Sequence, residues 1–176
     1  MKPTGFSIDI SPSCAYQDIH CTPDGKTLIT VDIGDKQLTV LRLKKEGGGE
    51  IVQQFDTESY NAEEIVYTPD SKYAIVSFST GTTPALRSFK INEDSTLTEI
   101  DSVYIPHVPG EDLAITPDGK YVVTRALVNN FSYFYVTRVN DDGTLTYLPE
   151  RDFTDTGHVS AMAFVPDPKS HGFMLY

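Results

Sequence analysis

Basic residues are scarce in this chain: 14 Lys and Arg stand against 25 Asp and Glu in 176 residues, a formal net charge of −11. Nucleic acid and anionic membrane both call for a basic face, so neither is an expected partner. Long apolar runs are also missing. None approaches the ~18–20 residues of a membrane helix, and Met1-Lys2-Pro3-Thr4-Gly5-Phe6 lacks the apolar core of a secretory leader. A cytoplasmic location is the expectation. Cysteine is limited to Cys14 and Cys21, too few for a disulfide scaffold and at no zinc-binding spacing. Cys21, in an apparent strand, reads as a small core residue and Cys14 as a loop residue; whether they pair is left open. No segment sustains a 3.6-residue period, so no long helix is expected. Nucleophile elbows and metalloprotease motifs are absent. Gly47-Gly48-Gly49 follows Lys44-Lys45-Glu46 in a hairpin connection, which is not the strand-to-helix turn of a phosphate loop.

What is present is a repeat. Thr22-Pro23-Asp24-Gly25, Thr68-Pro69-Asp70-Ser71, Thr116-Pro117-Asp118-Gly119 and Val165-Pro166-Asp167-Pro168 recur along the chain. Their prolines, at 23, 69, 117 and 166, lie 46, 48 and 49 residues apart. A period of this size marks one supersecondary unit copied along the chain. In the third unit, residues 111–116 read as a short apolar strand and 117–120 as a tight turn, with proline presetting φ and glycine accepting the left-handed position. Residues 121–124 and 132–139, rich in β-branched and aromatic side chains, read as the second and third strands. Asn140-Asp141-Asp142-Gly143 then turns the chain into a fourth strand at 144–148. The second unit repeats this at 64–68, 73–77, 85–91 and 96–100, and the first at 18–22, 27–32, 37–43 and 50–54.

Four short antiparallel strands per ~45 residues describe a β-propeller blade. The fold class is therefore all-β, with about three and a half blades in one segment, 1–176. Its units run about 11–55, 56–101, 102–150 and a partial 151–176 that offers strands at 160–165 and 172–176. Residues 4–10 read as the closing strand of a preceding or shared blade. Three and a half blades do not close the usual large ring. The expectations, in order, are a segment of a longer propeller, two chains sharing a ring as a homodimer, and a small four-bladed ring.

The segments Thr116-Pro117-Asp118-Gly119-Lys120-Tyr121-Val122-Val123-Thr124 and Asn140-Asp141-Asp142-Gly143-Thr144-Leu145-Thr146 resemble the YVTN-type repeats of the lactonase-like β-propeller family. The resemblance covers residues 4 to about 175. It implies a ring of about seven blades, and membership of a group that includes 6-phosphogluconolactonase-type enzymes, carboxy-muconate cyclases and non-catalytic surface-layer proteins. The enzymes of the group place acidic, basic and histidine groups around the central channel. The quoted motif residues belong to turns and strands, so the resemblance speaks to fold more than to activity.

Candidate chemistry follows from position in the unit. Five residues before each repeat proline stand Asp18, Glu64, Asp112 and Ala161. The first strand of a blade is innermost, so Asp18, Glu64 and Asp112 are expected as carboxylates at the channel mouth, where calcium or magnesium would relieve their repulsion. The structural alternative is that each caps backbone N–H groups at the start of a blade. His107 precedes Glu111 and Asp112 in a loop entering an innermost strand, which suits a general base for lactone opening. His158 occupies the comparable loop of the next unit, and His20 reads as a packed strand residue. Arg125 and Arg87 are candidates for clamping a carboxylate or phosphate, or for cross-strand ion pairs. The Asp141-Asp142-Gly143 run and the 32–35 segment read as turns.

Two functional classes result. The first is a binding or scaffold segment that holds a small-molecule or protein ligand on the ring face, with no cofactor required. The alternative is a lactonase or cycloisomerase, with His107, Glu111, Asp112 and Arg125 as catalytic candidates, and Arg87 and His158 as further ligand-binding ones.

Overall fold

A computed structural model of the protein describes residues 16–32, 34, 36–57, 61–79, 85–107, 112–155, 162–166 and 173–175. Within them lie three antiparallel sheets, each built from strands in simple sequence order. Blade 1 comprises β1 (Tyr16–Cys21), β2 (Thr27–Asp32), β3 (Gln37–Leu43) and β4 (Gly49–Asp56). Blade 2 comprises β5 (Asn61–Tyr67), β6 (Tyr73–Ser79), β7 (Ala85–Ile91) and β8 (Leu97–Tyr104). Blade 3 comprises β9 (Leu113–Ile115), β10 (Tyr121–Val128), β11 (Phe131–Val139) and β12 (Leu145–Tyr147), with β13 (Phe153–Asp155) also pairing with β11. A further pair, β14 (Phe164–Pro166) and β15 (Phe173–Leu175), begins a fourth blade. First strands of successive blades lie side by side, β1 against β5 and β5 against β9.

The repeated turn builds each blade. Gly25, Ser71 and Gly119 donate their amides back to the carbonyls of Thr22, Thr68 and Thr116, at 2.9, 2.9 and 2.8 Å. That closure requires a left-handed residue, and φ is +71°, +60° and +73° at the three positions. Each threonine hydroxyl donates to the aspartate two residues on, at 2.7, 2.7 and 2.6 Å, and accepts from the amide that opens the second strand. Burial pushes the Asp24, Asp70 and Asp118 carboxyls up. The threonine hydroxyl and the following lysine outweigh it and hold all three below the usual 3.8.

Packing happens between blades. One face of blade 1, including Ile29, Val31, Leu38 and Val40, meets Ala62, Ile65, Val76 and Phe78 of blade 2. The opposite face of blade 2, with Ile75 and Leu86, meets Leu113, Val122, Ala126 and Tyr135 of blade 3. The forward face of blade 3 presents Val123, Phe134 and Val136 to Met162 and Phe164. Polar clips fix the spacing. The Asp18 carboxylate accepts from the Ile65 amide (3.0 Å), Gln53 from that of Leu97 (2.6 Å) and Asp101 from that of Leu145 (2.9 Å). At the turns, Ser71 Oγ accepts from the Asp24 amide (3.0 Å) and the Tyr73 hydroxyl donates to the Asp141 carbonyl (3.2 Å).

Three expectations need correction. The outer strand of blade 3 does not run through 144–148. Pro149 has no N–H for the ladder, so β12 ends at Tyr147, a single 3₁₀ turn covers Pro149–Arg151, and pairing resumes at β13. Blades 1 and 2 carry only a small register shift at the corresponding place. Cys21 is exposed rather than a core residue. The His20 side chain is half exposed rather than packed, with Nε2 3.3 Å from Asp18 Oδ1. Both residues lie at the end of the innermost strand, where the Tyr67 hydroxyl of blade 2 donates to the His20 carbonyl (2.9 Å) and the two side chains stay open to solvent. The expected strand at 4–10 and Cys14 lie outside the described residues.

Two outcomes follow. A Cβ on Gly143 (φ +84°) would stand 2.5 Å from Tyr73 Cε1 and 2.7 Å from Ile100 Cδ1, whereas one on Gly25 meets nothing within 4 Å. Gly25→Ala should therefore cost about 1 kcal/mol of backbone strain, and Gly143→Ala about 2–4 kcal/mol once overpacking is added. Urea unfolding that ranks the two equally contradicts the packing of this turn against Tyr73. For pH, the depressed carboxyls mean that the unfolded chain takes up protons before the folded one. Their stabilisation is complete above the unfolded value of 3.8 and is lost as pH falls below it. Urea midpoints should fall between about pH 4 and pH 2, and fall less in the triple variant Asp24→Asn/Asp70→Asn/Asp118→Asn.

Candidate functional site

The innermost strands are irregular where the sequence places its carboxylates. Register shifts interrupt β1 between Tyr16 and Asp18, and β5 between Ala62 and Ile65. A bulge re-aims the side chains around it. Asp18 points forward to blade 2, where one oxygen accepts from Ile65 and the other from its own neighbour Ile19 (2.8 Å). Glu64 sits within the shifted stretch, and its amide donates to Ser77 Oγ (3.2 Å). Asp112 immediately precedes β9 and is buried.

Eight residues after each repeat proline stand Val31, Ser77 and Arg125, one in each second strand. Val31 is the register partner of Asp18, Ser77 bonds the Glu64 backbone, and the Arg125 amide donates to the Asp112 carbonyl (3.1 Å). Only the third blade puts a charge at this position. Arg125 Nε donates to Asp112 Oδ2 at 2.5 Å, and Nη2 forms an ion pair with the same oxygen. The two side chains are 9% and 12% exposed. Arg125 Nη1 is buried and has no hydrogen-bond partner among the described residues. A buried guanidinium nitrogen without an acceptor is costly, and it is a ready pair of donors for an incoming oxyanion.

His107 is not part of this group. Its Nδ1 shares a hydrogen bond with the Tyr135 hydroxyl, and its ring lies 4.9 Å from that of Tyr133. Tyr135 pairs with Thr124, whereas Arg125 pairs with Phe134. Adjacent strand residues face opposite ways, so His107 and Arg125 stand on opposite faces of blade 3. The expected constellation of His107, Glu111, Asp112 and Arg125 is thus reduced to Asp112 and Arg125; Glu111 and His158 lie outside the described residues. Around His107 are groups that sequence reading passed over. Burial, with the charge of Asp152 behind it, pushes Tyr135 up to about 12. Tyr147 lies edge-on to Tyr135 and donates to Asp152. The alternation of Tyr133 and Tyr135 in one strand was the available signal for this cluster.

Arg87 lies elsewhere, on the third strand of blade 2. Its guanidinium sits 4.7 Å over the Phe78 ring and 3.6 Å from Glu99, a packed cross-strand pair. Among the described residues, no three His, Cys, Asp or Glu side chains gather where they could hold a metal ion. Asp18, Glu64 and Asp112 therefore do not converge on one cation.

Removing one partner of a buried ion pair strands the other charge. Arg125→Met and Asp112→Asn should each cost about 3–5 kcal/mol in urea unfolding. The double change Asp112→Leu/Arg125→Met should recover most of that loss. Single variants that cost under about 1 kcal/mol would show that the pair is not buried as described.

No protein-family model and no curated protein matches the chain. Solved structures do. A putative 6-phosphogluconolactonase from Bacteroides fragilis superposes with a TM-score of 0.74 at 20% identity, over 87% of this chain and 43% of that one. Its counterpart from Bacteroides uniformis gives 0.73 at 19% identity, over 85% and 43%. The periplasmic gluconolactonase of Pseudomonas aeruginosa gives 0.71 at 13%, over 85% and 42%. The chain thus spans less than half the length of these structures. What it shares with them is the fold: an all-β, lactonase-like β-propeller, of which this chain forms a part.

Proposed function

We propose that the chain is a ligand-holding segment of a lactonase-like propeller, and that it binds a small molecule bearing a carboxylate or phosphate beside its innermost strands. One observation carries this reading: the buried Arg125 nitrogen that Asp112 leaves without an acceptor. Asp112 fixes the guanidinium through Nε and Nη2, so the remaining N–H groups are pre-oriented and cost little ordering on binding. The ring is completed by blades beyond the three and a half in this chain, from a longer parent chain or from a second copy.

A lactonase is the second reading. It is favoured by the names of the solved structures that share the fold. In this chain it would use Arg125 to hold the substrate's anionic group, and it requires a general base other than His107.

The test uses D-gluconate and 6-phosphogluconate as probes in calorimetric titrations of the wild type and Arg125→Lys. The lysine keeps a cation for Asp112 but removes the forked donors. Binding should weaken at least about tenfold in the variant, the cost of losing a charged hydrogen bond, with thermal melting confirming a folded protein. Equal binding by both proteins, or no binding of either probe by the wild type, overturns the reading. Turnover of 6-phosphogluconolactone that is lost with Arg125→Lys selects the enzyme. Binding without turnover selects the binding segment.

A further inference from the structure

Blade 3 carries a second group of cations on the outer half of its forward face, apart from Arg125. Arg138 sits 6.0 Å and Arg151 5.3 Å from the centre of the Tyr121 ring. Lys120 and Arg138 line a cavity of about 300 Å³ together with Tyr121, Asn140 and Asp141. Two of the chain's 14 basic residues thus flank one ring, and Lys120 shares a cavity with one of them. None of the three forms an ion pair within 4.0 Å among the described residues.

Blade 1 gives a contrast at this position that blade 2 does not, because there Lys90 also faces an uncharged residue, Thr98. Arg42 of blade 1 faces Glu50 across the sheet and pairs with it. Arg138, on the corresponding strand of blade 3, faces Thr146, which has no charge to offer. Blades 1 and 2 extend Gln53 and Asp101 from their outer strands to the amide of the next blade. In blade 3 the 3₁₀ turn occupies that stretch and brings Arg151 over Tyr121. Asp152 turns inward to accept from the Val136 amide (3.3 Å).

We infer that Lys120, Arg138 and Arg151 form a binding site for a phosphate group, either inorganic phosphate or a phosphate monoester. Two guanidinium groups and an ammonium supply charge-assisted donors to its oxygens. The Tyr121 ring attracts both guanidinium groups through its negative faces. Asp141 is the one carboxylate on the cavity wall, and it disfavours ligands of higher negative charge density on that side. This site is independent of Arg125, which sits by the innermost strands.

The experiment titrates the protein with inorganic phosphate and, separately, with glycerol 3-phosphate, following amide and arginine side-chain NMR signals. Saturable shifts at Tyr121, Arg138 and Arg151 below about 10 mM are expected, and the tighter of the two probes identifies the source of the phosphate. Arg138→Gln and Arg151→Gln should each weaken binding at least about tenfold. Lys26→Gln, which removes a cation paired with Asp24 on blade 1, should leave it unchanged. The inference fails if neither probe saturates, if the two arginine variants bind as the wild type does, or if Lys26→Gln weakens binding equally. It also fails if only Arg125→Lys abolishes the shifts, because the phosphate then belongs to the innermost strands.

Discussion

Every blade of this protein has two apolar faces and cannot bury either one alone. That constraint organises the rest of the structure. A four-stranded sheet satisfies its internal hydrogen bonds, yet Ile75 and Val76, adjacent on one strand, belong to different cores and need a neighbour on each side. Burying a side chain of this size contributes about 1.5–3 kcal/mol, and only docking of the next blade supplies it. The hydrogen-bonded clips contribute less energy individually but set register. Asp18 reaches Ile65, Gln53 reaches Leu97 and Asp101 reaches Leu145, each across one blade boundary. The Gly143 turn leaves no room for a side chain above Tyr73.

The same constraint sets the terms for chemistry. A residue at the bulged start of an innermost strand either joins a blade boundary or finds a partner in its own blade. Asp18 does the first, and Asp112 does the second by pairing with Arg125. The change takes only one substitution in the repeat, from a small or aliphatic residue at Val31 and Ser77 to arginine. It introduces a buried cation whose third nitrogen has no hydrogen-bond partner among the described residues. Blade 3 departs again at its outer strand, where Pro149 breaks the ladder and Arg151 appears. Repetition makes both departures visible, because blades 1 and 2 show what each position does by default.

Much of the fold was legible in the sequence for a physical reason. The Thr-Pro-Asp-Gly turn is determined locally: proline presets φ, glycine or Ser71 takes the left-handed position, and the aspartate and threonine bond each other within five residues. Strands such as Thr27–Asp32, Gln37–Leu43 and Ala85–Ile91 were accordingly read to the residue. The fourth strand of blade 3 was read as ending before Pro149, but the 3₁₀ turn and the resumed pairing at β13 were missed because they replace a bulge that has no local signature in the other units. Exposure of Cys21 and His20 depends on which side chains of the neighbouring blade cover them, and no strand pattern encodes that. The site was legible only in part. The offset from the repeat prolines singled out Asp112, Arg125 stood out as a cation ending a second strand, and nearness in sequence added His107. Side-chain alternation between Phe134 and Tyr135 puts it across the sheet.

The account stands on blades that are coupled into one cooperative unit, and amide hydrogen exchange at Ile65, Leu97 and Leu145 tests that most directly. Each of these amides donates to a side chain from the preceding blade. They should exchange as slowly as strand-centre amides such as those of Val76 and Val123, all opening together with global unfolding. Exchange at loop-like rates while the strand centres stay protected would mean that the blades fold separately. The boundaries between them would then not hold the site described above.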